Sequence, residues 1–279
     1  MSQTLQSAEQ GALSFDFLLV AVEADKVIGA SWLVVSEDFT GHIFPPEVID
    51  HEHQQQIWDD LAQHIANLLD DSDCWIGQIL LHPDEVTQRQ RLDDSPFAYL
   101  ADLQFMSMSF DDEKLAISPP TKSVRLEATS YQEGRNETLF VDVMEQTYEG
   151  SLDFPEVNEF RTAEEAFQSH RTHSQIQPNC WQVFYHKRRP AGMLLLSPGQ
   201  DDHWEITYMG VCGGVRGQGI GHAMLAQAIT TAKKQGAKGL SLGVDSRNHY
   251  AIKLYETYGF RVRTACHFYA WFPHDEPEV

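Results

Sequence analysis

Two periods of apolar and polar alternation run along this chain, and the switches between them mark its elements. In the C-terminal part, 124–128 alternates with period two as a strand, whereas 134–147 and 162–172 carry helical spacing. Strands at 181–186 and 191–196 flank a Lys-Arg-Arg-Pro turn, and 204–211 reads as the next strand. A helix is expected over 222–234, with Ala223, Met224, Ala228, Ile229 and Ala232 on its apolar face and Gly236 as its stop. Leu240, Leu242 and Val244 alternate as a strand, 250–258 reads as a short helix, and 260–272 as a last long strand. Strands interleaved with helices predict an α/β fold with a mixed sheet.

The N-terminal part repeats this plan faintly. Strands at 17–22 and 27–35 meet at Glu23-Ala24-Asp25-Lys26, a helix is expected at about 51–70 and a strand at 75–81. Between the two parts, Asp111-Asp112-Glu113-Lys114 precedes Ser118-Pro119-Pro120-Thr121, and paired prolines stop helices and sheet interiors alike. The expected division is therefore a smaller α/β lobe over 1–115 and a main domain over 122–279.

Composition narrows the function classes. A net charge of −21 argues against nucleic acid and against an anionic membrane as partners. The charge is uneven: residues 1–121 hold 4 Lys/Arg against 22 Asp/Glu, so the remainder is nearly neutral and repels a polyanionic ligand little. Four scattered cysteines without a C-x-x-C pair suit a reduced, cytoplasmic setting. No apolar run approaches a membrane span, and the N-terminus lacks the layout of a signal peptide. His170 with His173, and His51-Glu52-His53, lack a third ligand at a diagnostic spacing, so no metal is expected.

Arg216-Gly217-Gln218-Gly219-Ile220-Gly221, followed by His222, stands between the 204–211 strand and the 222–234 helix. A glycine-rich turn opening a helix leaves backbone N–H groups unpaired at the positive helix end, which favours a phosphate. The P-loop requires Lys and then Ser or Thr, where His222-Ala223 stands, and G-x-G-x-x-G fails in either register. A second motif, Asn248-His249-Tyr250-Ala251-Ile252-Lys253-Leu254-Tyr255-Glu256-Thr257-Tyr258-Gly259-Phe260, lies downstream; by itself it is a helix with an apolar face ended by Gly259.

The R-x-x-G-x-G turn and the N-x-x-A-x-x-L-Y-x-x-x-G-F segment, in this order, resemble the GCN5-related N-acetyltransferase (GNAT) superfamily over roughly 122–272. The resemblance implies a GNAT fold, acetyl-CoA as donor, and direct transfer to the amine of a small molecule or peptide in a ternary complex. It implies backbone contacts to the pantetheine arm near Met209, Gly210 and Val211, and a pyrophosphate on Arg216, Gly217, Gln218, Gly219, Ile220, Gly221 and His222. Asn248 matches a position that often touches the cofactor arm. Tyr255 matches the acid that protonates the leaving thiolate, with a packed core aromatic as the alternative. Glu205 matches a glutamate base, with a solvated strand-end carboxylate as an equal alternative; alternation places it on the same side as Val211. Cys212 reads as a small packing residue. Asp153 and Glu156 lie in the loop that walls the acceptor site, where they are exposed carboxylates or attractors of a cationic amine. A family proline is replaced by Gly213.

In the first lobe, Pro96 to Phe105 resembles the helical A-x-x-L-Y-x-x-x-G-F segment, while the turn before its helix carries Asp50 and Glu52 and no glycine. The lobe thus reads as a degenerate partial repeat without a cofactor site, with an unrelated α/β cap as the alternative. A homodimer is compatible with the sequence. The competing class is an acyl-CoA-binding regulatory or scaffold module without catalysis, which needs neither Glu205 nor Tyr255.

Overall fold

A computed structural model describes residues 14–111, 124–177, 179–199 and 202–273. The chain divides into two units, one comprising residues up to Ala101 and from Cys266 onward, the other Asp102 to Ala265.

The first unit is built from β1 (Leu18–Glu23), β2 (Lys26–Val35), β3 (Thr40–Val48), α1 (Gln54–Asp70), β4 (Ile76–Leu81) and α2 (Val86–Leu92). β1, β2 and β3 pair antiparallel in sequence, and β3 runs parallel to β4 from Thr40↔Ile76 to His42↔Gln78. The apolar stripe of α1, Trp58, Leu61, Ala62, Ile65, Ala66 and Leu69, is buried in this unit's core.

In the second unit come β6 (Glu127–Ser130), α3 (Glu137–Tyr148), α4 (Ala163–His173), β7 (Trp181–His186), β8 (Arg189–Pro198), β9 (His203–Val211), α5 (Ile220–Lys234), β10 (Gly239–Asp245) and α6 (His249–Thr257). β6, β7, β8 and β9 pair antiparallel in that order. α3 buries Phe140, Val143, Met144 and Thr147 at helical spacing, and α4 starts on a Thr162/Glu165 capping box. The order three strands, helix, strand, helix recurs in both units, as a partial repeat requires.

The long strands β5 (Ala98–Ser109) and β11 (Arg261–Trp271) depart from the expected division. β5 leaves the first unit at Ala101 and pairs antiparallel with β10 from Leu103↔Asp245 to Ser109↔Gly239. β11 leaves the second at Ala265 and pairs with β4 from His267↔Leu81 to Trp271↔Gly77. Each unit is thus completed by a strand from the other half of the chain, and 102–109 belongs with the second unit. The proline-rich segment 112–121 lies outside the described residues.

Two local expectations differ from the fold. Residues 98–105 form strand, not helix, because β5 supplies alternating apolar positions, Met106 and Met108 among them, to the second unit's core. The helix of the repeat is α2 instead. The segment before the first helix, expected as a turn, contains β3; the ladder skips from Trp32↔Phe44 to Ala30↔Glu47, so Pro45 and Pro46 fall in a bulge where no ladder N–H is required. Among the described residues no helix is long and apolar enough to cross a membrane.

Candidate active site

The site begins with a break in strand pairing. β9 and β10 run parallel only for Gly239↔His203, Leu240↔Trp204 and Ser241↔Glu205. Beyond Glu205 the two strands part, and a cavity of about 890 Å³ opens, lined by Ile206 to Val211 on one side and Leu242 to Val244 on the other. β9 remains paired with β8 along its far edge, through Leu194↔Met209, Met193↔Gly210 and Gly192↔Val211. Its near edge therefore offers backbone donors and acceptors to the cavity. Glycine is required at the crossing: a Cβ on Gly192 would strike the Gly210 carbonyl oxygen and sit 3.0 Å from Met224 Sδ.

A bulge controls which β9 side chains face where. Ser197 pairs with Glu205 and Leu196 with Ile206, but Leu195 pairs with Tyr208, which leaves Thr207 as the extra residue. Glu205 consequently shares a face with Tyr208 and Gly210, while Val211 faces the other way. The expected common side of Glu205 and Val211 is thereby corrected. Glu205 is exposed and is not among the residues lining the cavity; desolvation alone nudges its carboxyl upward. On the same face, Tyr208 Oη and Thr147 Oγ1 share a short hydrogen bond that joins β9 to α3.

The glycine turn closes one end of the cavity. Gly217 and Gly219 adopt φ of 74° and 82°, left-handed backbone that side chains resist, and Gly219 is the N-cap of α5. No side chain caps this helix and its first turn holds no acidic residue. The N–H groups of Ile220, Gly221 and His222 therefore point from a positive helix end toward the cavity they line. His222 stays neutral near pH 7, since desolvation lowers its pKa; its Nδ1 is buried without a partner, and its carbonyl accepts from Tyr258 Oη at 2.9 Å.

Arg216, expected to hold the pyrophosphate, is bonded to the protein's own backbone. Its Nε donates to Val211 O at 3.0 Å, Nη1 to Glu149 O and Gly150 O at 2.7 Å each, and Nη2 to Thr147 O at 2.7 Å. Four of its five N–H groups thus hold the C-terminal end of α3 against the end of β9. It braces the turn more than it offers donors to a ligand. Gln218 is exposed and outside the lining. Cys212 is buried with its thiol pushed up by desolvation, as befits a packing residue.

α6 supplies the opposite wall. Asn248 caps it, its Oδ1 accepting from Ala251 N at 3.2 Å. Tyr255 is buried to 6% exposure, lines the cavity, and packs its ring 5.6 Å from that of Phe260. Desolvation first, and the nearby Asp153 charge second, raise its pKa, so the phenol keeps its proton at neutral pH.

A pin that the motifs do not reveal fixes the 149–157 loop beside α6. Asp245, at the end of β10, is fully buried and accepts from Phe154 N at 3.0 Å, while its own N–H donates to Asp153 Oδ1 at 2.9 Å. Arg247 bonds Asp245 and, with Nη1 at 2.6 Å and Nη2 at 2.8 Å, both carboxylate oxygens of Glu156. Glu156 is therefore neutralised and held below its ordinary pKa by Arg247, which removes it as an attractor of a cationic acceptor. Asp153 lines the cavity. The remaining expected residues, Met209, Gly210, Val211, Gly217, Ile220, Gly221 and Asn248, converge on the same cavity. Among the described residues no group of three or more His, Cys, Asp or Glu side chains is arranged to hold a metal ion.

Comparison with known proteins agrees with this architecture. The acetyltransferase (GNAT) family model matches residues 144–260. Among solved structures, a GCN5-related N-acetyltransferase from Sphaerobacter thermophilus is similar with a TM-score of 0.64 at 15% identity, covering 100% of this chain and 87% of that one. A GCN5-related N-acetyltransferase from Kribbella flavida gives 0.54 at 13% identity, over 98% and 94% of the two chains. A tandem GNAT protein from the clavulanic acid biosynthesis pathway gives 0.52 at 12%, over 95% and 86%. Likeness at such identities establishes the fold. No curated protein matches the sequence.

Proposed function

We propose, from the acetyltransferase (GNAT) family domain that residues 144–260 form, that this protein is an acetyl-CoA-dependent N-acetyltransferase acting by direct attack of a primary amine. One observation carries this: the unpaired N–H groups of the glycine turn, the open edge of β9 and the Tyr255 phenol all face a single cavity. The donor's pyrophosphate suits the N–H groups of Gly217 to His222, where an anion gains from both the donors and the helix end. Its extended arm suits the β9 edge at Met209, Gly210 and Val211, with Asn248 beside it. The thioester then falls near Tyr255. A phenol that stays protonated can donate to the departing sulfur without itself bearing charge, which is the service this reaction requires.

Gly219→Asp tests the cradle. The substitution strains a left-handed position and sets a carboxylate against the pyrophosphate, so acetyl-CoA affinity measured by titration calorimetry is expected to fall at least about tenfold, the equivalent of 1.4 kcal/mol. Unchanged affinity in a variant with an unchanged melting temperature refutes the assignment.

A further inference from the structure

We infer that Asp153 holds the acceptor as its ammonium ion and takes the proton that frees the amine for attack, and that this acceptor carries one positive charge. The inference rests on the acetyltransferase reading and specifies its second substrate. Among the described residues lining the cavity, Asp153 is the only carboxylate. Its aim is set on two sides, by the Asp245 N–H at 2.9 Å and by a hydrogen bond from the Asn248 side chain. Asp153, Tyr208 and Tyr255 line the same cavity, and the charge of Asp153 is felt by both hydroxyls. An ammonium bonded to Asp153 would therefore share the cavity with a thioester held near Tyr255.

The same wall argues against a second cation. Arg161 lines the cavity, and Glu156, the neighbouring carboxylate, is committed to Arg247 outside it. A diamine, polyamine or aminoglycoside would bring a further positive charge to Arg161 and find no further carboxylate. Tyr148, Phe154, Val157 and Tyr208 complete this end and favour an apolar or aromatic body on the acceptor.

The step balances. Asp153 accepts one ammonium proton and passes it to solvent; the neutral nitrogen forms a C–N bond to the thioester carbon. When the C–S bond breaks, Tyr255 gives its proton to the sulfur and is restored by the second proton that nitrogen loses. The products are the N-acetyl amide, the free thiol and one released proton.

The groups facing Asp153 set its titration. Asp153 is exposed by surface area, yet the protein packed around it desolvates its carboxyl and raises it, and the buried Asp245 charge adds to that, while the Asp245 N–H, Asn248 and Arg247 oppose it; Tyr208 and Tyr255 face it uncharged. Asp153 must be ionised to act, so transfer rises with pH through a midpoint above the ordinary aspartate range.

Two measurements test this together, both following thiol release from acetyl-CoA. With the wild-type protein, kcat/KM for an aryl-alkyl primary monoamine is expected to exceed that for a diamine of equal length by at least about tenfold; a preference for the diamine overturns the claim. With Asp153→Asn, kcat/KM is expected to fall about 10²-fold or more and lose the acid-side midpoint, while acetyl-CoA affinity by calorimetry stays within about twofold. A retained midpoint, or its loss in Glu205→Gln instead, overturns the claim. Wild-type protein that does not bind acetyl-CoA refutes the acetyltransferase reading itself, whereas binding and transfer with a silent Asp153→Asn refutes only this assignment.

Discussion

Asp245→Ala should loosen the acceptor wall while leaving the cradle alone. The carboxylate removed is fully buried and accepts from Phe154 N at 3.0 Å, Arg247 N at 2.8 Å and Arg247 Nη2 at 2.7 Å. Removing one partner of a buried ion pair costs about 3–5 kcal/mol when the other is left uncompensated. Arg247 is 40% exposed and retains Glu156, so water and that second carboxylate recover part of the loss. About 2–3 kcal/mol remains, chiefly for the stranded Phe154 N–H and the lost hydrogen bonds. For a unit of this size each kcal/mol moves the melting temperature by about 2–4 °C, so the variant should melt about 4–12 °C lower by circular dichroism. Because the 149–157 loop is released, acceptor KM should rise, while acetyl-CoA affinity by calorimetry should hold within about twofold. A melting temperature within about 1 °C of wild type would show that Asp245 is not the pin its geometry implies.

Other consequences follow from the same geometry. Tyr255→Phe should lower kcat by about 10²-fold with little change in acetyl-CoA affinity, and unaffected turnover in steady-state assays removes Tyr255 as the acid. Gly192→Ala should force β8 from β9, costing about 1–3 kcal/mol in denaturant titrations and weakening acetyl-CoA binding; a neutral outcome would mean the strand crossing is slack.

The fold was legible in the sequence wherever the chemistry is local. Gly217 and Gly219 announce their left-handed conformations, and the α5 and α6 stripes announce their buried faces, because each depends on neighbours within a turn or two. The destination of β5 was not legible: alternation predicts a strand but not its partner, and Met106 and Met108 are buried by β10, more than 100 positions away. β3 was hidden because Pro45-Pro46 signals a break unless a bulge receives it. The β9 bulge was likewise invisible, since one extra residue at Thr207 leaves the local pattern of Glu-Ile-Thr-Tyr unchanged yet turns Glu205 away from Val211's face. Arg216 looked like a phosphate ligand from its motif, but its partners are the carbonyls of Val211 and of Thr147, Glu149 and Gly150, the last three some 70 positions earlier. The Asp245–Arg247–Glu156 pin has a faint local signal in Asp-Ser-Arg-Asn after a strand, but the loop it holds could be identified only in three dimensions.

The most direct test of the central claim is amine-dependent thiol release from acetyl-CoA by the full-length protein, with the acylated product identified by mass spectrometry. One thiol released per amide formed, lost in Gly219→Asp, is the predicted result. Acetyl-CoA that binds at the cradle, with no release above the amine-free rate for any primary amine, would contradict it and leave a binding module.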